Sequence, residues 1–446
     1  MTAEILWAWR RLNANYWFYP ALFAIMGGAL AFGCVYLDRA GFAEWLNDVE
    51  WLAPARPQSA NNMLQVIATS MIAVASTVFS ITIVAVSFAS GNYGPRLLTN
   101  FMEDKGNQFS LATFIGTFVY AITVLRSVRA EDESPASGVD AAATALPGFV
   151  PQLSLLVAYV LIAVSVGVLV FFLNHVPSNM RINTVIKDIG QRLLKSIEDT
   201  YPLEGNGEES HQRPTGEGLI ATKPGYVQLI DFEDLARHAR DADVQVTLLV
   251  RTGDFAHSGL PLAQICGDSA DEDLHGKLLA CFTQGASRTP EQDPQFLIDE
   301  LVEIGLRALS PGINDPFTAI TAMHWLGAAT ASLGCRRLVK DLCGDSPEDC
   351  PIYPLRDDFD HFVQRGFGGL RSAVATSPIA TKIMFDVLRN IAVTIDSPER
   401  RTSLLEEAEA LRDQARTALQ GPDLTEVDLR FAEIMVDLRS TRTPAG

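Results

Sequence analysis

The sequence predicts a multi-pass α-helical membrane protein with four transmembrane helices, followed by a C-terminal water-facing α+β domain that is β-rich at its start and helical after it. Two observations carry this prediction. Four long stretches without Asp, Glu, Lys or Arg lie in the first 180 residues: Leu12–Leu37, Pro57–Pro95, Gly106–Leu125 and Ala141–Met180. A charge at the bilayer centre costs roughly 2.5–3.5 kcal/mol, so such stretches are typical of spanning helices. The remaining residues have the composition of a soluble domain.

The predicted transmembrane domain covers residues 1–180, with spans at about 18–37, 64–87, 109–125 and 153–173. Pro177 is expected to end the fourth helix. Residues 181–198 carry apolar side chains at helical spacing, which predicts an amphipathic connecting helix. This helix could lie on the membrane surface, pack against its copy in another subunit, or pack on its own domain.

A polar linker is predicted at 199–224, a small β-rich sub-domain at 225–268 and a mainly helical sub-domain at 269–446. In the β-rich part, strands are expected at 226–230, 244–251 and 262–266, with a short helix capped by Asp231 after the first. Pro316–Cys335 also lacks Asp, Glu, Lys and Arg, but its Ala, Thr and Gly favour a buried helix of the soluble domain. His324 on that helix is expected to be a core residue.

Lys and Arg flank the spans unequally, with eight on the N-terminal side of the membrane and four on the other. The positive-inside rule therefore places both termini in the cytoplasm. Five of the six cysteines lie in the large domain, where a reducing cytosol would leave them as free thiols. These five are Cys266, Cys281, Cys335, Cys343 and Cys350.

Charge and motifs exclude several functions. The chain has a net charge of −18, most of it after residue 180, which disfavours nucleic acid and anionic lipid headgroups as partners. The sequence contains no G-x-S-x-G, Walker A, Rossmann glycine run or H-E-x-x-H motif, and its seven His are scattered. We therefore expect no enzyme, no cofactor and no metal site.

The second span carries small hydroxyl residues at spacings of three, four and seven, which places them on one face of a helix. Such a face either packs closely against another helix or lines a water-filled path. The pore-lining candidates are Thr69, Ser76, Ser80 and Ser87. No charged residue is available inside the spans, so a proton relay is not supported.

The segment Gly91–Arg96 is predicted to break the second helix at the cytoplasmic face. It is either a simple turn between two spans or an elbow that couples the hydroxyl face to the large domain. The candidates for this elbow or gate are Tyr93, Gly94, Pro95 and Arg96.

The segment Ser310-Pro-Gly-Ile-Asn-Asp-Pro316 is the most distinctive part of the soluble domain. Gly312 is expected to take a positive φ, Asp315 to cap the next helix and Pro316 to occupy its first position. A ligand or subunit contact is the alternative role for this segment. Its candidates are Glu303, Arg307, Asn314 and Asp315, with Glu303 and Arg307 placed as an i,i+4 pair.

Several segments resemble the bacterial predicted membrane proteins of the domain-of-unknown-function family 2254. They are S-T-V-F-S-I-T-I-V-A-V-S-F-A-S from Ser76, Y-G-P-R-L-L-T-N-F from Tyr93, G-N-Q-F-S-L-A-T-F-I-G-T-F-V-Y from Gly106 and D-E-L-V-E-I-G-L-R-A-L-S-P-G-I-N-D-P-F-T-A from Asp299. The resemblance implies an integral protein of the bacterial inner membrane, and it implies no activity or catalytic residue.

Two functions are expected from the residues themselves. The first is a homo-oligomeric ion or small-solute channel with the second span near its axis. The alternative is a membrane-anchored sensor or scaffold without a pore. Both have the lipid bilayer as a partner, and the sequence names neither the ion nor the ligand.

Overall fold

The computed structural model describes residues 15–42, 56–94, 104–129, 149–179, 181–203, 213–267, 272–340, 342 and 350–439. The chain forms two compact units, Met1–Arg181 and Ile182–Gly446. The first contains the apolar helices, and the second contains two sheets and a group of helices.

The first unit holds four helices that are long and apolar enough to cross a membrane. They are α1 (Phe18–Arg39), α2 (Pro57–Tyr93), α3 (Lys105–Leu125) and α4 (Gln152–Asn179). Each contains one predicted span. Pro177 lies inside α4 instead of ending it, because a proline near the last turn removes only one backbone hydrogen bond.

Helix α3 is the central helix of the membrane unit and contacts α1, α2 and α4. It approaches α1 closely, because a Cβ built on Gly27 would lie 2.3 Å from the carbonyl oxygen of Gly116. Toward α4, the hydroxyls of Thr117 and Ser165 lie 3.2 Å apart in the buried interface. Small residues and a hydroxyl pair thus hold these helices together, as is usual in membranes.

Asp38 joins the end of α1 to the start of α4. Its carboxylate accepts hydrogen bonds from the backbone N–H groups of Leu153 (2.9 Å) and Ser154 (3.0 Å) and from the Ser154 hydroxyl (2.7 Å). The first N–H groups of a helix have no partner within the helix, so Asp38 satisfies two of them. Tyr120 of α3 donates to the Ser154 carbonyl oxygen at 2.9 Å and completes this contact.

The connecting helix, α5 (Ile182–Thr200), packs on its own domain, against α8 (Pro294–Ala308) and α9 (Pro316–Gly334). Its apolar face is buried, and a Cβ on Gly190 would meet the Trp325 ring at 2.3 Å. Of the three alternatives left by the sequence, packing on the same domain is therefore the one observed.

Two sheets follow α5. The strands are β1 (Glu217–Ile220), β2 (Gly225–Ile230), β3 (Gln245–Leu248), β4 (Phe255–Ala256), β5 (Pro261–Cys266), β6 (Phe282–Gly285) and β7 (Ile352–Tyr353). One sheet has the order β1-β5-β3-β7 and the other β4-β2-β6. All described pairs are antiparallel except β3 with β7, where Val246 lies opposite Ile352.

The β-rich part is larger than its predicted range, 225–268. β1 lies inside the predicted linker, while β6 and β7 lie in the range predicted as helical. These strands are short and pair with partners far away in sequence, so local periodicity does not reveal them. Helices α6 (Phe232–Asp241) and α7 (Glu272–Ala280) accompany the sheets, and Asp231 caps α6 as predicted.

The rest of the second unit is helical. After α8 and α9 come α10 (Phe359–Val363), a π-helical turn (Gln364–Gly368), α11 (Gly369–Val374), α12 (Pro378–Thr394), α13 (Pro398–Ala418) and α14 (Gly421–Arg439). Helix α9 is not among the helices apolar and long enough to span a membrane, and nearly half of its residues are buried. His324 is exposed, so the prediction of a core histidine was wrong.

An ion-pair network connects the sheets to the helices. Asp299 of α8 accepts from Arg288, which follows β6, at 2.6 Å and from two nitrogens of Arg365 in the π-helical turn at 2.6 and 2.7 Å. Burial opposes the charged form of Asp299, but the two guanidinium groups outweigh it and hold the pKa of this carboxyl below its usual value.

The cysteines differ from expectation at one position. Cys266, Cys281 and Cys335 carry free thiols, and burial raises the pKa of Cys281 to about 12. Cys350 is disulfide-bonded, and Cys343 lies outside the described residues. The prediction of free thiols is therefore confirmed at Cys266, Cys281 and Cys335 and wrong at Cys350. The cysteines no longer indicate a reducing compartment, because disulfides persist in oxidising ones.

Candidate functional site

The hydroxyl stripe of α2, defined as Thr69, Ser76, Ser80 and Ser87, faces away from the other helices of the same chain. All four residues are exposed. The opposite side of α2 is buried in the unit core, with Leu64 and Val78 almost completely covered. The stripe therefore takes no part in helix packing within one chain.

The stripe is long enough to cross the apolar part of a membrane. From Thr69 to Ser87, a rise of 1.5 Å per residue gives about 27 Å, close to the ~30 Å of a bilayer's hydrocarbon core. The whole helix has 37 residues, or about 55 Å, so α2 extends beyond the hydrocarbon core.

Several hydroxyls of α2 donate to their own helix. Ser76 donates to the carbonyl oxygen of Ile72 at 2.9 Å, and Ser80 donates to that of Ser76 at 2.8 Å. Beside the stripe, Thr77 donates to Ala73 at 3.0 Å. These hydroxyl groups therefore need no water as a hydrogen-bond acceptor. Their oxygen atoms can still accept hydrogen bonds from a group outside the helix.

The elbow is described only in part. Tyr93 is the last residue of α2, and Gly94 follows with φ 128° and ψ 146° while its N–H donates to the Ser90 carbonyl oxygen at 3.3 Å. Residues that carry a side chain rarely adopt this backbone conformation, so the position requires glycine. Pro95 and Arg96 lie outside the described residues. The gate hypothesis stays a prediction.

Asp104 and His175 form a contact that the sequence analysis missed. Asp104 caps α3 by accepting from the Gly106 N–H at 2.9 Å, and His175 Nε2 of α4 lies 2.9 and 3.1 Å from its two carboxylate oxygens. Gly106 makes room, because a Cβ there would lie 2.2 Å from His175 Nε2. The sequence signal that could have revealed this contact is the single His in the apolar stretch of the fourth span. The pair ties the elbow end of α3 to α4.

The first turns of α3 are polar inside the bundle. Asn107, Gln108 and Ser110 are buried, and Ser110 donates to the Gly106 carbonyl oxygen at 2.7 Å. Asn107 Oδ1 has no hydrogen-bond partner in the described part of the chain. A buried acceptor without a donor is costly, so the interior of the unit is more polar at this end than a pure packing interface requires.

The loop between α8 and α9 folds back on the end of α8. Asp315 N–H donates to the Ala308 carbonyl oxygen at 2.7 Å, and Ser310 Oγ donates to that of Arg307 at 2.6 Å. Asp315 caps α9 through the Thr318 N–H (3.2 Å) and hydroxyl (2.6 Å), as predicted. The positive φ of 51° is at Asn314, not at Gly312.

The four contact candidates divide into separate local interactions. Arg307 Nη2 donates to Glu303 at 3.3 Å, which confirms the predicted i,i+4 pair. Asp315 instead accepts a hydrogen bond from the Thr318 hydroxyl. Ile313 and Phe317 are exposed on either side of the cap. The contact role of this segment stays a prediction. In the described ranges, no group of three His, Cys, Asp or Glu is arranged to hold a metal ion.

Comparisons with other proteins agree with a membrane protein. The chain matches the DUF2254 family, described as "Predicted membrane protein", over residues 13–390. Uncharacterized proteins of Mycobacterium tuberculosis (strain CDC 1551 / Oshkosh) and Mycobacterium bovis are each 27% identical over 358 residues, which is 78% of this chain. The match covers 66% of each relative, so the chain spans slightly less than two thirds of their length. No solved structure matches the chain. Since the family match extends over most of its residues, the chain belongs to the DUF2254 family of predicted membrane proteins.

Proposed function

We propose that the protein is a homo-oligomeric, non-enzymatic channel for ions or small solutes in the bacterial inner membrane, with the α2 helices around its axis. One observation carries the proposal: the hydroxyl stripe faces outward over about 27 Å and takes no part in helix packing within the chain. Hydroxyl groups gain nothing from a face that contacts only lipid. At an axis shared by several subunits, they contact either water or a neighbouring α2 helix.

The side chains of the stripe suit an uncharged path. Small residues allow neighbouring α2 helices to approach closely, and the Ser76 and Ser80 oxygens can accept hydrogen bonds while donating to their own helix. The buried polar turns of α3 and Asp104, which contacts His175, follow the elbow closely in sequence. These polar residues support a hydrated cytoplasmic end of the path, at which Tyr93 and Gly94 would act as gate residues.

In this proposal, both termini and the large domain are cytoplasmic. The support is the eight-to-four distribution of Lys and Arg around the spans.

The alternative is a membrane-anchored sensor or scaffold without a pore. The hydrogen bonds from Ser76, Thr77 and Ser80 to carbonyl oxygens one turn earlier favour it. They satisfy the hydroxyl donors even when the face packs against another protein or lipid.

Cysteine accessibility tests whether the stripe meets water. In a Cys335→Ser background, Ser76→Cys and Ser80→Cys should react with small hydrophilic thiol reagents in the membrane-embedded protein. Ile81→Cys is the matched control, because Ile81 is also exposed on the single chain but lies about 100° around the helix from Ser80. Labelling at the stripe and not at position 81 is expected. Absence of labelling at all three positions would contradict a water-filled path.

Ser80→Leu separates the two functions. In a channel, the larger apolar side chain narrows and dewets the path, so reconstituted protein should lose solute flux while its oligomer persists in native mass measurements. In a scaffold, the same change overfills a helix contact and the oligomer dissociates. Absence of flux in the unmodified protein, together with loss of the oligomer on Ser80→Leu, would leave the scaffold.

A further inference from the structure

Helix α9 leaves one side uncovered, and that side carries no charge. Its other sides pack against α5, α8 and α12 of the same chain. Phe317, His324 and Ala328 are exposed and lie within about 40° of one another around the helix. Residues 316–335 contain no Asp, Glu, Lys or Arg. We define the α9 face as these three exposed residues and the half-buried Thr321 and Ser332.

The first turn of the α9 face is strongly apolar. The Phe317 side chain is 69% exposed, and Ile313 in the preceding loop is 45% exposed. A helix at the surface of a soluble domain normally directs charged side chains toward water. Protein interfaces, in contrast, are depleted in charge at their centre and enriched in aromatic anchors. The α9 face therefore has the composition of an interface.

The charge of the chain indicates which partner this interface fits. The residues after 180 include 27 basic and 42 acidic side chains, a net charge of −15. Two copies of such a domain repel each other, and an uncharged face allows them to meet without opposing carboxylates. Asp315 precedes α9 and the exposed Arg337 follows it. Antiparallel pairing of two α9 helices brings the acidic start of each toward the basic end of the other, so the face is complementary to itself.

The sizes of the side chains also favour antiparallel pairing. Phe317 is large and lies in the first turn of α9, whereas Ala328 and Ser332 are small and lie toward its end. Parallel helices would crowd the two Phe317 rings together and leave a gap between the small residues. In an antiparallel pair, each Phe317 ring packs against the small end of the other helix, as close packing requires. His324 then lies near the middle of the contact.

We propose that the α9 face is a two-fold contact between two copies of this chain, with antiparallel helices and His324 near the axis. A two-fold contact joins copies in pairs, so the oligomer contains an even number of chains. The inference rests on the homo-oligomer of the proposed function and not on a pore. From Phe317 to Ser332 the face is about 23 Å long. It is too small to supply the ~800 Å² per partner of a typical stable interface, so it acts together with contacts between membrane units.

Disulfide crosslinking of the full-length protein in membranes tests the contact. In a Cys335→Ser background, His324→Cys should form a covalent dimer on oxidation with copper phenanthroline. His257→Cys is the matched control, because His257 is exposed on the same unit but outside α9. It should give at least about tenfold less dimer, since a disulfide requires Cβ atoms about 3.5–4.5 Å apart.

Three results of this experiment would overturn the proposal. They are equal crosslinking at the two positions, no covalent dimer from His324→Cys, and crosslinking of His324→Cys to a different protein in place of its copy.

Mixed variants test the orientation of the two helices. In the antiparallel pair, Thr321 of each copy lies opposite Ala328 of the other. In the same background, co-expressed Thr321→Cys and Ala328→Cys chains should therefore crosslink to each other, and neither should crosslink to itself. Self-crosslinking of each variant would indicate parallel helices and overturn the two-fold contact.

A charge at the centre of the α9 face should weaken the assembly. His324→Glu places two carboxylates near the axis, and we expect the concentration for half-dissociation in detergent to rise about tenfold or more. His257→Glu should leave it unchanged. An oligomer that persists in native mass measurements, without crosslinking at position 324, would overturn this contact and leave the proposed homo-oligomer intact. A monomeric unmodified protein would overturn both.

Discussion

Aspartate residues at helix starts determine much of the local structure of this chain. Asp104, Asp231, Asp293 and Asp315 each precede a helix and accept a hydrogen bond from a backbone N–H of its first turn. These N–H groups have no partner within their own helix, so a short carboxylate supplies what the backbone lacks. Asp231 and Asp315 were recognised from sequence because turn residues precede them and helical periodicity follows.

Removing the cap at Asp315 should destabilise α9. Asp315→Ala loses two hydrogen bonds from Thr318, and we expect a cost of about 1 kcal/mol in the free energy of unfolding. Asp315→Ser is the control, because serine also caps helices and should retain most of the stability. Thermal unfolding of the purified protein measures both. A variant Asp315→Ala with unchanged melting temperature and assembly, but without solute flux, would indicate that this segment makes a functional contact.

At the scale of helices, the membrane unit depends on the close approach of α1 and α3. The backbone of Gly116 occupies the space that a side chain at Gly27 would need. Close contact brings many atoms into van der Waals range, which is the main attraction between helices in lipid.

Gly27→Ala should therefore separate α1 from α3. The added methyl group would lie 2.3 Å from the Gly116 carbonyl oxygen, and overpacking of this kind typically costs about 1–3 kcal/mol. Gly33→Ala in the same helix is the control, since no atom lies within 4 Å of its built Cβ. We expect a lower melting temperature in detergent for the first variant only. Equal melting temperatures would contradict the tight interface.

At the scale of the whole molecule, the side of the membrane that holds the large domain is open to a direct test. Cys335 is an exposed free thiol. It should resist membrane-impermeant thiol reagents in intact cells, whereas Ser137→Cys, between α3 and α4 in sequence, should be labelled. Lysed cells are the control in which Cys335 becomes reactive. Labelling of Cys335 from outside would reverse the orientation, and the disulfide at Cys350 would then fit its compartment.

The sequence by itself determined the elements whose signal is local. Absence of charge over about 20 residues indicates a span whatever its neighbours are, so each of α1 to α4 was predicted. Spacing of three, four and seven placed Thr69, Ser76, Ser80 and Ser87 on one face, because helix geometry alone fixes that relation. Helix caps such as Asp315 are local in the same sense.

Only the tertiary structure decided which neighbour each face meets. It placed the hydroxyl stripe outside the bundle, α3 at its centre and α5 on its own domain. It also brought His175 to Asp104, 71 residues apart, and Arg251 to Asp357, 106 residues apart. Periodicity defines the faces of an element but carries no information on its partners. These partners depend on packing between distant segments, where burial and hydrogen bonding are satisfied together.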